Sequence, residues 1–172
     1  MIINQIESIV EQHSQKYRSS CSPSLAEMLL KVRGAVAIAY YDEQHRDQNT
    51  NVGLNNINNR TIAGQTFRRL QDTPSVKSFQ QRIDELLAAE KSVGIYLPTQ
   101  FGFHGFVIAG VEQCSYLLLS KYSELGHGEG SITFRVSLRV AEINGFSDRD
   151  CIYLEWPESQ QAPLLAKITQ ID

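Results

Sequence analysis

The chain has 172 residues, which suits one domain with a single core. Its formal net charge is −3 and 20% of its residues are charged, so the composition excludes an extended disordered chain and predicts no attraction to nucleic acid or anionic lipid. Its longest apolar runs, such as residues 35–41, are too short to span a bilayer, and we expect no membrane segment.

The N-terminus and the cysteines bear on where the protein works. The first residues have neither a basic region nor an apolar stretch of the kind found in secretory signals. Cys21, Cys114 and Cys151 are widely spaced and form neither a disulfide framework nor a metal clamp. We therefore expect a reduced cytoplasmic protein, or one exported by a route that needs no signal peptide.

The first two predicted elements are helices. Residues 2–17 carry isoleucine and valine at helical spacing, and we expect His13 to lie on the surface of that helix. A second helix is predicted over residues 22–33, with Ser22 as its cap, Pro23 at its first position, a Ser24-x-x-Glu27 capping box and Gly34 as its stop.

Cys21 precedes this second helix directly. Backbone N–H groups at a helix N-terminus favour a thiolate, which is how a cysteine nucleophile is made. A small structural thiol at a helix cap is the alternative interpretation.

The middle of the chain is less clearly patterned. Residues 35–41 fit either a helix or a buried strand, and the polar, Asn-rich residues 42–59 predict a long loop that could be a lid or a recognition segment. Residues 61–70 and 75–91 predict two more helices, the second capped by Ser75. Arg68 and Arg69 are expected on a solvated face of the first, and binding of a substrate carboxylate is the alternative.

The pattern then changes to strands. They are predicted at 92–97, closed by Pro98, and at 104–111, 116–120, 131–143 and 150–156, with a further edge strand at 164–171. We therefore predict an α+β fold in a single domain over 1–172, with a helical part over about 1–91 packed on an antiparallel sheet over about 92–172.

A cysteine nucleophile needs a base, and His104 is the best candidate. It begins a buried strand between Gly102 and Gly105, which would let a substrate backbone approach. His127 lies in a glycine-rich turn with Glu129, but one histidine and one glutamate are too few ligands for a metal. We expect no metal and no cofactor.

Gln15 stands six residues before Cys21, and the run Cys-Ser-Pro-Ser-Leu-Ala follows. This pattern resembles the papain-like cysteine peptidases, and it is most similar to the branch that contains the bacteriocin leader-processing peptidase domains. Residues 83–111 resemble that family's helix, short strand and histidine-led strand. The likeness extends over about residues 10–122, and it implies a papain-like fold in which the helices carry the nucleophile and the sheet carries the histidine.

The resemblance implies a role for each residue. Cys21 would attack an amide or peptide carbonyl, His104 would be general base and then acid, and Gln15 with the Cys21 N–H would form the oxyanion hole. Two positions depart from the family: Ser22 replaces a glycine, and Ser120 stands where an Asp or Asn orients the histidine.

The function predicted is that of a cysteine peptidase or amidase with a peptide or amide substrate, and a bacterial effector-type or cell-wall amidase is one narrower option. An acyl transferase on the same scaffold and a catalytically impaired binding module are the alternatives.

Overall fold

Five α-helices and seven β-strands form the part of the chain that the computed structural model describes, which is residues 3–47, 53–99, 102–122, 132–147 and 150–155. The helices are α1 (Ile3–Gln12), α2 (Cys21–Arg33), α3 (Asp42–Arg46), α4 (Leu54–Ile57) and α5 (Phe79–Ala88). The strands are β1 (Thr61–Ile62), β2 (Gln65–Arg69), β3 (Val93–Thr99), β4 (Gly102–Glu112), β5 (Ser115–Tyr122), β6 (Ile132–Arg139) and β7 (Cys151–Glu155).

The strands form one seven-stranded sheet in the order β1-β2-β7-β3-β4-β5-β6, and every neighbouring pair is antiparallel. One face is covered by α1 and α2, and the other by α5 and a short 3₁₀ helix (Val140–Gly145). The predicted α+β class, with helices packed on an antiparallel sheet, is therefore confirmed. None of the helices in the described part of the chain has the length and apolar character that a membrane crossing requires.

Helix α2 lies unusually close to the centre of the sheet. Its fully buried Leu25 covers two glycines, so that a Cβ placed on Gly94 or on Gly105 would lie 3.0 or 2.9 Å from the leucine side chain. Side chains four residues apart share a helix face, which places Cys21 one turn beyond Leu25 on the side facing the sheet. Gly94 and Gly105 thus set the distance between the N-terminus of α2 and the strands.

A buried polar network fixes α2 from the other side. Glu27 accepts hydrogen bonds from the backbone N–H and the side-chain amide of Gln44, at 2.7 and 3.0 Å. Burial raises the pKa of Glu27 to about 7, even though these hydrogen bonds and the nearby Lys31 favour the charged form. Burial likewise lowers the pKa of Lys31 to about 8. The network holds α3 against α2, and its cost is the burial of two ionisable groups, Glu27 and Lys31.

His13 belongs to the same interior, and the prediction that it lies on the surface is wrong. Its side chain is only 1% exposed, because α1 ends at Gln12 and the following turn directs the ring inward. The ring contacts Ser24 Oγ and accepts from Lys31 Nζ, both at 2.9 Å. Burial, followed by the charge of Lys31, lowers the pKa of His13, so the ring is neutral.

The predicted caps of α2 differ from the observed ones. The helix begins at Cys21 with Ser20 at the N-cap position, and Pro23 is the third helical residue. The Ser24–Glu27 capping box does not form, because Ser24 binds His13 and Glu27 binds Gln44. Gly34, with φ of 74°, ends the helix as predicted.

The helix predicted over 61–70 is wrong. Residues 61–69 form the β1–β2 hairpin, which turns at Ala63 and Gly64 with positive φ and pairs with β7. Two strands of the sheet therefore come from the part expected to be helical. Arg68 and Arg69 lie on a strand: Arg68 pairs with Glu155, and Arg69 is only 8% exposed.

Other boundaries also shift. Residues 35–41 are neither helix nor strand, and the predicted loop over 42–59 contains α3 and α4, with residues 48–52 outside the described part. Helix α5 is capped by Ser78 instead of Ser75. Strand β3 continues through Pro98, whereas β6 ends at Arg139 and gives way to the 3₁₀ helix. The predicted edge strand at 164–171 and His127 lie outside the described residues.

Replacing Gly105 by alanine should destabilise the fold by about 1–3 kcal/mol, because the new methyl group overlaps Leu25. Chemical denaturation measures this loss. Gly145→Ala is the matched control, since no atom lies within 4 Å of its would-be Cβ. Equal effects of the two substitutions would contradict the close approach of α2.

Glu27→Gln should change how stability depends on pH. A carboxyl whose pKa is raised from about 4.5 to about 7 contributes stability that is complete at acidic pH and is lost as the pH rises through 7. The free energy of unfolding of the wild type should therefore fall relative to Glu27→Gln by about 1–3 kcal/mol between pH 4.5 and 8. Glu142→Gln, which removes an exposed carboxylate, is the control for the loss of one negative charge. Parallel pH profiles for wild type and Glu27→Gln would refute the burial effect.

Candidate active site

Cys21 is the first residue of α2 and is half-buried. The turn before it is held by Ser20, whose Oγ lies 2.7 Å from the Tyr17 carbonyl and 2.8 Å from Gln44 Oε1. The Ser20 carbonyl accepts the first helical hydrogen bond, from Ser24 N–H at 2.8 Å. The thiol therefore lies at the positive end of a helix whose entry is fixed by its own turn and by α3.

Tyr96 is the hydrogen-bond partner of the Cys21 thiol. Its hydroxyl donates toward Cys21 Sγ at 3.9 Å and forms a short hydrogen bond with Ser22 Oγ. Burial, together with the nearby Cys21, raises the pKa of Tyr96 well above its usual value, so the phenol keeps its proton. Sequence reasoning missed this residue, since a lone tyrosine on a strand carries no motif.

His104 lies on β4 opposite Leu97 of β3 and is 9% exposed. Its ring meets the rings of Phe106 and Tyr122 edge-on, at centroid distances of 5.6 and 5.7 Å. Its Nε2 is 3.0 Å from the carbonyl oxygen of Lys121, so Nε2 carries the proton and Nδ1 has the lone pair. Burial lowers the pKa of His104, which leaves a neutral imidazole at neutral pH.

The group that orients His104 is therefore a backbone carbonyl. Ser120, at the position expected for an orienting Asp or Asn, instead donates to the Gly105 carbonyl at 2.5 Å. It is fully buried and stabilises the pairing of β4 and β5. A backbone acceptor has no signal in the sequence, and only the register of the strands reveals it.

Cys21 and His104 line one cavity of about 400 Å³. The remaining lining residues among those described are Arg18, Thr99, Phe103, Phe106, Tyr122, Phe134 and Val136. The structure thus brings the predicted nucleophile and the predicted base to a common space from positions 83 residues apart in the chain.

The two side chains nevertheless approach that space from different directions. Tyr96 and Gly105 face α2, and successive strand residues point to opposite faces, so His104 lies on the other face with Leu97 and Phe106. The lining of the cavity includes Thr99, the last residue of β3, and Phe103, the second residue of β4. In the described part of the chain no hydrogen bond connects Cys21 to His104, and the thiol's hydrogen-bond partner is Tyr96.

Gln15 is fully buried in the turn before α2. Its side-chain amide donates to the carbonyls of Tyr17 and Arg18, at 2.9 and 3.2 Å. Gln15 is not among the described residues that line the cavity. In this geometry it shapes the turn that carries Arg18, and a role at the oxyanion would require its amide to exchange these carbonyl partners.

Within the described residues no group of three or more His, Cys, Asp or Glu side chains is placed to hold a metal ion. His13, Ser24 and Lys31 form a buried cluster between α1 and α2, and none of the three lines the cavity that contains Cys21 and His104.

Comparison with known proteins finds no family model, no curated protein and no solved structure that matches the chain. The function must therefore be argued from the site itself.

The tautomer of His104 can be tested by ¹⁵N NMR of the imidazole nitrogens. We expect a neutral ring with the proton on Nε2 at pH 7, and a titration midpoint below 6.5, because burial disfavours the imidazolium. His104→Gln assigns the signal. An imidazolium at pH 7, or a proton on Nδ1, would contradict the hydrogen bond to Lys121.

Proposed function

We propose that this chain is a cysteine hydrolase of papain-like arrangement, cleaving an amide or peptide bond with Cys21 as nucleophile and His104 as general base and acid. The observation that carries the proposal is that a thiol at a helix N-terminus and a histidine with an available Nδ1 lone pair line the same cavity. A nucleophile and a base at one concave site are the minimum that acyl transfer needs.

The proposed reaction has two steps. Cys21 Sγ attacks the carbonyl carbon while its proton passes to His104 Nδ1; the carbon–nitrogen bond then breaks, and the departing amine takes that proton, leaving a thioester. Water, deprotonated by the same nitrogen, then releases the acid and restores the thiol. The Cys21 backbone N–H at the start of α2 would donate to the developing oxyanion, and Gln15 would join it after exchanging its carbonyl partners.

His104 and Cys21 must draw closer for the proton transfer. Catalytic hydrogen bonds in ligand-free enzymes are often long and tighten when substrate binds. In this step the thiol would exchange the Tyr96 hydroxyl for His104 Nδ1 as its partner, and the phenol, which keeps its proton, does not act as the base.

A binding module without catalysis is the second candidate, and it is favoured by a specific observation. No hydrogen bond joins Cys21 to His104 among the described residues, and the Gln15 amide is engaged with the turn. An acyl transferase would use the same thioester but pass the acyl group to an amine, and product analysis with and without added amine separates it from the hydrolase.

The hydrolase proposal is tested by the rate of Cys21 alkylation with iodoacetamide as a function of pH. Exposed Cys114 is first replaced by serine, and Cys151 is buried. His104→Ala should slow alkylation near pH 7 about tenfold, because the imidazole can no longer accept the thiol proton. The rates come from mass spectrometry of the Cys21 peptide.

His45→Ala is the matched control, since His45 is exposed and lies outside the cavity lining. Its alkylation profile should equal that of the wild type. If His104→Ala leaves the profile unchanged, or if Cys21 reacts no faster than a small free thiol, the binding-module interpretation replaces the hydrolase.

A further inference from the structure

The wall of the cavity beside Cys21 is aromatic. Phe103, Phe106 and Phe134 line it together with Val136, and Phe103 has 63% of its surface exposed. Exposed large apolar side chains at a concave site are typical of ligand binding. A volume of about 400 Å³ is ample for a phenyl ring or a branched aliphatic group together with the bond to be cleaved.

Arg18 supplies the charge at this cavity. It is exposed, and its guanidinium has no ion pair among the described residues. None of the described lining residues is acidic, although the chain has 19 Asp and Glu residues against 16 Lys and Arg. A cation at an aromatic cavity whose described lining residues include no carboxylate is complementary to an anionic ligand.

The position of Arg18 links this charge to the reacting thiol. It stands three residues before Cys21, on the turn whose carbonyls are held by Gln15 and whose end is held by Ser20. That anchoring holds the backbone of Arg18 in place relative to the thiol, and Arg18 lines the same cavity as Cys21. A substrate group bound by Arg18 would therefore lie near the bond that the thiol attacks.

We propose that the substrate pairs a bulky apolar group, bound by Phe103, Phe106 and Phe134, with a carboxylate bound by Arg18. This rests on the proposed hydrolase function and names its substrate class. The substrate is a peptide or an acyl-amino acid that contains both an acidic group and an aromatic or branched aliphatic group. The planar guanidinium fork matches a carboxylate with two parallel hydrogen bonds, and the aromatic wall removes the apolar group from water.

The test uses N-acetyl dipeptidyl acyloxymethyl ketones, which alkylate a thiolate as a carboxylate leaves. Each probe contains Phe or Ala together with Glu, Gln or Lys, in both orders. The measured quantity is the second-order rate constant for labelling Cys21, in the Cys114→Ser background.

In the better order, the Phe–Glu probe should label about tenfold or more faster than the Ala–Glu probe, from burial of the ring. It should label several-fold faster than the Phe–Gln probe, and added salt should reduce this second ratio. Arg18→Ala should bring the Glu-to-Gln ratio to about one, and Arg18→Glu should favour the Lys probe. Arg139→Ala, which removes an exposed arginine outside the cavity, should leave every ratio unchanged.

Each outcome is informative. Equal labelling by the Glu and Gln probes, or a ratio that survives Arg18→Ala and high salt, overturns the carboxylate part. Equal labelling by the Phe and Ala probes overturns the apolar part. If no probe labels Cys21, the hydrolase proposal itself fails, and this inference fails with it.

Discussion

The contact between Leu25 and the two glycines beneath it is the constraint on which the rest of the structure depends. A helix packs close to a sheet only where the strands present no side chains, and Gly94 and Gly105 leave that space on adjacent strands. One turn toward the N-terminus of α2, this close approach of helix and sheet places Cys21 within hydrogen-bonding distance of the Tyr96 hydroxyl. Gly105 also follows His104 directly, so the glycine that leaves space for the helix lies on the same strand as His104.

The buried polar network holds the turn before Cys21 in place, whereas Gly94 and Gly105 set how closely α2 approaches the sheet. Gln44 alone bonds Glu27, the Ser14 carbonyl, the Lys16 N–H and Ser20 Oγ, and so holds the whole turn before Cys21 against α2. Such networks are costly unless every member is bonded, and when they are complete they specify one arrangement. The Asn-rich segment that contains α3 thus acts on the site through the buried hydrogen bonds of Gln44, a structural role that the polar composition of the segment does not reveal.

The sequence predicted those features that local pattern controls. The α+β class, the helix after Cys21, its stop at Gly34 and the strand that begins near His104 follow from periodicity and turn chemistry. The β1–β2 hairpin was mistaken for a helix, because its residues have no clear alternation and its pairing with β7 is a long-range contact. His13 was misplaced for a similar reason: only the tertiary packing of Ser24 and Lys31 explains its burial. In the candidate site, Cys21 and His104 could be selected by motif, whereas Tyr96 and the Lys121 carbonyl are partners that no spacing encodes.

The backbone carbonyl that orients His104 has a chemical consequence. A carbonyl fixes the Nε2–H tautomer, but it carries no negative charge to stabilise an imidazolium, and the burial of His104 disfavours that ion further. An imidazolium at His104 is thus unfavourable in the resting protein. In the proposed hydrolase, the thiol proton would therefore pass to His104 during the attack on the carbonyl and not before it, and the substrate carboxylate proposed to bind Arg18 would add negative charge near the imidazolium as it forms. Charge recognition and proton transfer would then be parts of one event, because the substrate would supply part of the electrostatic support for the imidazolium.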